Sequence, residues 1–237
     1  MQKSLLFLAA ALTFGFAANA QTVFSEDFEG QTMPAGWNTI ADELVNHNSS
    51  PDNMFGQSWD VTEILPEGNH GAVSISYTDP EGNDCDRWLI TPSIAIPEPG
   101  YRLLCDIWGR DYRYPEKVRI MVSTSGIAKT DFTELLDVVM DGTTYTNDWN
   151  TVLVNLNSYA GQNIHIAFVN HGDGYYTFVD NVQVKVVAPD NMSAVSASSP
   201  TWAAQNAYIP VNLTIRNEGT SPLTSFDLSY TGNSGES

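Results

Sequence analysis

Two carboxylates stand where an alternating pattern expects apolar side chains. In Phe24-Ser25-Glu26-Asp27-Phe28, Glu26 shares the parity of two phenylalanines, and in Phe178-Val179-Asp180-Asn181-Val182, Asp180 shares the parity of Phe178, Val182 and Val184. A carboxylate aimed at a core is costly unless it is paired with a cation or bound to metal. Basic partners are scarce, since 10 Lys and Arg face 28 Asp and Glu, a formal net charge of −18. Calcium takes carboxylate and carbonyl oxygens in a forgiving geometry. The pattern therefore predicts a structural Ca2+ shared by Glu26 and Asp180, with backbone carbonyls and Asp27 or Glu29 completing its shell. The plainer alternative is a bulge that slips the parity and leaves both carboxylates solvated.

Catalytic arrangements are poorly served by the remaining residues. A cysteine nucleophile must be accessible and activated, yet Cys105 lies on the core parity of Leu103-Leu104-Cys105-Asp106-Ile107. Cys85 sits in a polar turn, and the sequence leaves open whether the two are bridged. No Gly-x-Ser-x-Gly elbow occurs. His165 and His171 lack the further ligands that zinc requires. The chain is accordingly expected not to be an enzyme. Its candidate ligand-binding residues are aromatic and basic: Trp108, Arg110, Tyr112, Arg113 and Tyr114 in one run, and Tyr175 with Tyr176 in another. Tyrosine and arginine are frequent interface anchors, and Arg110 and Arg113 concentrate scarce positive charge. The plainer reading is packing at sheet ends.

The elements that must position these groups read as strands. Apolar residues recur with period two at Leu103/Cys105/Ile107, Val118/Ile120/Val122, Val152/Val154, Ile164/Ile166/Phe168 and Val182/Val184/Val186. Turn clusters rich in Gly, Pro, Asp and Asn separate them, as in Pro97-Glu98-Pro99-Gly100 and His171-Gly172-Asp173-Gly174. Many short strands with regular turns predict an antiparallel sandwich. Phe132, Leu135, Leu136 and Val139 also fit helical spacing, but a loop and a strand are expected there.

Lys3, an apolar run from Leu5 to Ala18 and the small residues Ala18-Asn19-Ala20 form a secretory leader over residues 1–20, cleaved after Ala20. A largely apolar run of fourteen residues is too short to span a bilayer, which takes about 20. The predicted destination is secretion or the cell surface, with no transmembrane span. Losing Lys3 leaves 9 basic residues against 28 acidic ones, a balance that excludes nucleic acid as a partner. The pattern places one domain at residues 21–187. After Ala188-Pro189-Asp190 the composition shifts to Ser, Ala, Thr and Asn. Residues 188–237 are too few for an immunoglobulin-like sandwich, which takes about 100, and read as the opening of one.

Several runs are familiar in order. Phe24-Ser25-Glu26-Asp27-Phe28-Glu29-Gly30 with Met33-Pro34-Ala35-Gly36-Trp37 resembles the start of a cleaved-adhesin domain, the choice-of-anchor J type of gingipain and haemagglutinin adhesin regions. Asp86-Arg87-Trp88-Leu89-Ile90-Thr91-Pro92, Val122-Ser123-Thr124-Ser125-Gly126, Leu156-Asn157-Ser158-Tyr159-Ala160-Gly161-Gln162 and Phe178-Val179-Asp180-Asn181-Val182 follow as in that family. The resemblance implies a jelly-roll β-sandwich with bound Ca2+ and a role in adhesion, as a non-catalytic module of a longer secreted protein. Glu26 and Asp180 fall on its acidic terminal-strand positions. The loop Asp42–Asn53 departs from the pattern, lacking an Asp-x-Asp-Gly run, so a second calcium is not expected there. Two partner classes follow, an extracellular protein or a glycan. The alternative function is a carbohydrate-binding module appended to a secreted hydrolase.

Overall fold

The computed structural model describes residues 21–41, 58–64, 68–76, 84–110, 113–146, 148–172, 174–188, 192–198, 210–217, 219, 222 and 224–226. The leader, the Asp42–Asn53 loop and Tyr112 lie outside them. The chain divides into two compact units, Gln21–Val186 and another holding the residues from Val187 onward.

Among the described residues, the first unit contains twelve strands. In chain order they are β1 Thr22–Glu26, β2 Asn38–Ile40, β3 Asp60–Ile64, β4 Asn69–Ile75, β5 Arg87–Ile90, β6 Ile94–Ile96, β7 Tyr101–Gly109, β8 Lys117–Ser123, β9 Thr133–Val139, β10 Asn150–Asn155, β11 Gln162–Asn170 and β12 Tyr176–Val186. They form two antiparallel six-stranded sheets. One runs β10-β7-β12-β4-β3, with β1 also on β12; the other runs β2-β5-β11-β8-β9, with β6 also on β11. The first and last strands pair as expected, Glu26 opposite Val182 and Phe24 opposite Val184. Residues 133–139 are a strand, preceded by a short 3-10 turn at Lys129–Asp131.

The alternating residues explain the layers. Leu103, Cys105, Ile107, Val152, Val154, Val179, Val182 and Val184 of one sheet meet Leu89, Val118, Ile120, Val122, Ile164, Ile166 and Phe168 of the other in a single buried cluster. The chain crosses between sheets at Pro97–Gly100, where Gly100 adopts φ 112°, a backbone open to glycine. Smaller apolar clusters lie on the outer faces: Trp88, Ile90, Phe132, Ala167 and Val169 on one sheet, and Ile64, Val73, Tyr176 and Phe178 on the other.

One expectation is corrected. Phe178 and Asp180 do not share a face with Val182 and Val184. Against β7, Asp180 pairs with Asp106, but Gln183 already pairs with Leu104. Three steps on β12 thus match two on β7, the signature of a bulge. Asn181 sits in it with φ 50°, a left-handed conformation that asparagine tolerates better than most residues. The inserted residue reverses the alternation, so Phe178 and Asp180 point away from the main core.

In the second unit, β13 Met192–Ser198 and β14 Asn212–Asn217 pair antiparallel.

Phe168 is fully buried on β11, bonded to strands on both sides. Phe168→Ala is expected to lower unfolding stability by about 3–5 kcal/mol, measured as the urea midpoint.

Candidate functional site

Asp180 is 2% exposed, although it lies opposite the main core. Its partners are amides: Asn69 Nδ2 donates to Oδ2 at 3.0 Å, and the backbone N–H of Asn181 donates to Oδ1 at 2.6 Å. Burial, opposed by those hydrogen bonds and reinforced by the carboxylates of Asp106 and Glu29, pushes the Asp180 carboxyl from its ordinary 3.8 up to about 6. No cation is paired with it among the described residues.

Of the other proposed metal ligands, Glu29 is the one whose charge acts on Asp180, while Glu26 pairs with Val182 on the core side of the bulge. Glu26 is half-buried at the end of β1, and its Oε1 accepts the backbone N–H of Phe28 at 2.9 Å. Asp27 is exposed and accepts the backbone N–H of Glu29. Glu29 accepts the backbone N–H of His70 at 3.0 Å, and its other oxygen lies 3.5 Å from His70 Nδ1. Among the described residues, no three His, Cys, Asp or Glu side chains are grouped closely enough to hold a metal alone. A hard cation at Asp180 would therefore draw on amide and backbone oxygens as well as carboxylates. That donor set fits calcium, which accepts both, and does not suit zinc.

The aromatic candidates fall into two places. Arg110 lies 5.3 Å over the ring of Tyr176, and Tyr175 meets that ring edge-on at 4.3 Å. Trp108 packs against the same outer cluster and stacks on Phe178 at 4.9 Å and 20°. Arg113 lies 5.8 Å over Tyr114, and Tyr114 is 51% exposed. Trp108, Arg110, Tyr175 and Tyr176 thus form one aromatic and basic end. Arg113 and Tyr114 are a separate pair on the β7–β8 connection.

Glu116 was not foreseen. It is buried just before β8 and accepts hydrogen bonds from the hydroxyl of Ser76 and the backbone N–H of Tyr175. Three glycines make room for it. A Cβ on Gly109, Gly172 or Gly174 would lie 3.0, 3.2 or 2.6 Å from its side chain. Glu116 therefore pins the Tyr175 loop against the sandwich. The available signal was a glutamate before a strand combined with a glycine ending the preceding strand and two more in a distant turn, and no spacing links the latter to it. Trp149 was also missed. It precedes β10 and packs on Trp108 at 5.6 Å.

Neither cysteine is bridged. Cys85 Sγ donates to the carbonyl of Asn170 at 3.2 Å, and Cys105 is enclosed in the core. Burial pushes the Cys105 thiol up, opposite to what a nucleophile needs. His165 Nδ1 faces the carbonyl of Thr91, and His171 Nε2 lies 2.7 Å from Asp137.

The sign of the Asp180 shift gives a test in chelator. The unfolded chain releases this proton near 3.8, the folded one near 6. Stability from this group is therefore greatest below pH 4 and falls as pH rises through 6, by about 3 kcal/mol at about 1.4 kcal/mol per tenfold change in the equilibrium. Asp180→Asn in chelator is expected to gain up to that amount at pH 7.5 and nothing at pH 4, measured by urea unfolding at both.

The Cleaved Adhesin Domain profile matches residues 21–184. Hemagglutinin A of Porphyromonas gingivalis is 25% identical over 211 residues, covering 81% of this chain and 9% of that protein. The chain thus spans under a tenth of this curated relative. The K3 Cleaved Adhesin Domain of Lys-gingipain from Porphyromonas gingivalis superimposes with TM-score 0.53 at 26% identity, over 70% of this chain and 99% of that one. The K1 domain of the same protein gives TM-score 0.54 at 24% identity, over 70% and 98%.

Proposed function

We propose that this chain, which belongs to the Cleaved Adhesin Domain family, is a secreted, non-catalytic binding module. In this reading calcium holds the main sandwich, and the module works within a longer cell-surface or secreted protein. The observation that carries the reading is the family match across residues 21–184, the whole of the twelve-stranded unit but its last residues. Export is supported by Lys3, the Leu5–Ala18 run and the Ala18-Asn19-Ala20 site. No helix among the described residues is long and apolar enough to cross a membrane.

Calcium is supported by a buried carboxylate with no cation paired to it among the described residues, and by the negative charges of Asp106 and Glu29 acting on it. Asp180 would be the central ligand, with Glu29, whose charge acts on it, or Asp27 and backbone carbonyls around it; Glu26, paired with Val182, lies on the core side of the bulge and is the least suited of the expected ligands. A bound divalent ion would replace the proton that burial otherwise favours. The non-catalytic reading is supported by the state of the candidate nucleophile, since Cys105 is enclosed in the core. Binding would fall to exposed aromatic groups carried on loops and strand ends by a rigid scaffold. The partner is an extracellular protein or a glycan.

Two measurements test this. Metal-stripped protein should melt lower in chelator and recover with Ca2+, because a ligand held only by the folded state stabilises it by mass action. An unchanged midpoint across that series removes the calcium. The full chain should also be retained on a panel of extracellular matrix and serum proteins or on a glycan array. Retention on neither surface overturns the binding-module reading.

A further inference from the structure

The outer face of the β10-β7-β12 sheet carries an ordered pattern of side chains. Residues paired across neighbouring strands share a face. The contacts of Trp149 with Trp108 and of Trp108 with Phe178 make a continuous row of three rings, at centroid spacings of 5.6 and 4.9 Å. Trp149, at the open end of the row, is 36% exposed.

Two residues further along each strand, about 7 Å away, lies a polar row. Thr151 pairs with Asp106, and Asp106 pairs with Asp180. Asp106 is held from both sides: Thr151 Oγ1 donates to Oδ1 at 2.7 Å, and Asn181 Nδ2 donates to Oδ2 at 3.1 Å. A fixed array of hydroxyl, carboxylate and amide therefore lies beside a row of rings.

We infer that this face is a binding site for neutral oligosaccharides. It rests on the binding-module reading and names both the ligand class and the surface. A pyranose ring presents axial C–H groups on one face and hydroxyls around its edge. The C–H face lies against the electron-rich face of an indole, as other weakly positive groups do. The edge hydroxyls both donate and accept. Each Asp106 oxygen has two lone pairs, one already used, so each can accept a ligand hydroxyl without losing its present donor. Because those donors fix the carboxylate beforehand, little ordering is needed on binding.

The charges select within this class. Asp106 beside the rings, in a chain of net charge −18, repels sialylated, uronic and sulfated sugars. To a basic peptide the face offers Asp106 but not Asp180, which is buried.

The test titrates the full chain, in Ca2+, with cellohexaose, xylohexaose, mannohexaose and galactotetraose. It uses tryptophan fluorescence and calorimetry up to about 10 mM, the range of weak single-site affinities. Sialyllactose and an oligolysine peptide serve as charged comparisons. At least one neutral oligosaccharide is expected to saturate with a change in tryptophan emission, ahead of both charged probes. Trp149→Ala should weaken that binding about 10-fold or more while moving Tm by under about 2 °C, and Trp149→Phe should restore part of it. The inference is overturned by saturation with no neutral sugar, by unchanged affinity in Trp149→Ala, or by preference for the peptide or sialyllactose. Protein retention on the matrix panel without sugar binding overturns this inference alone and leaves the adhesin reading standing.

Discussion

One extra residue in β12 allows a single strand to serve two surfaces. The period of a strand is two, so without an insertion every second side chain of β12 would face the same layer along its length. The bulge at Asn181 divides it. Downstream, Val182 and Val184 fill the core beneath β1 and β7. Upstream, Tyr176 and Phe178 face outward to meet Trp108. Asp180 stands at the changeover, kept from water and held by the backbone N–H of the bulge residue itself. The aromatic row and the buried carboxylate thus have a common origin in one local irregularity.

That irregularity also marks the limit of what the chain could reveal by pattern. Period-two runs located the core strands, because their residues alternate without interruption and sit in one cluster. The pairing of first and last strands was expected from the general habit of sandwiches rather than from any residue in them. The parity argument for Asp180 reached a buried carboxylate by an incorrect route, since it assumed one face through a bulge that no residue type announces. Asn at the turning point was consistent with positive φ, but asparagine is common in this chain and carries little weight alone. Glu116 and Trp149 were beyond reach for another reason. Their significance lies in contacts with residues 58 and 41 positions away in sequence, and no local spacing encodes these.

The charges are distributed unequally between the layers. Lys117 and Arg119 of β8 pair with Asp84 and Glu134, and Lys129 pairs with Asp86 at 2.6 Å while lying 5.8 Å over Trp88. These cations belong to the β8 side of the sandwich. On the opposite sheet, Asp106 and Asp180 are satisfied by amide and hydroxyl donors instead. Neutral donors orient a carboxylate without cancelling its charge, so Asp106 and Asp180 are held differently from the ion-paired carboxylates of the β8 side. Surface pairs of the β8 kind contribute little to stability, so their effect is chiefly on where the field points.

The strand order has a consequence for how such a chain acquires its shape during synthesis. Each sheet is built about a strand from the end of the unit: β11 joins β5 and β6 to β8, and β12 joins β1 and β4 to β7. Before Gln162 is available, the chain can form only separate ladders, β3 with β4, β8 with β9, β2 with β5 and β7 with β10. None of these ladders has its central neighbour, and each exposes an unpaired edge that could join another chain. Closure then links residues more than 150 positions apart, as Glu26 does with Val182, a high contact order that slows folding. A chain emerging from its amino end remains unable to fold until nearly the whole unit is present. Such a nascent chain stays threadable through a narrow pore, at the cost of depending on chaperones to keep its ladders apart.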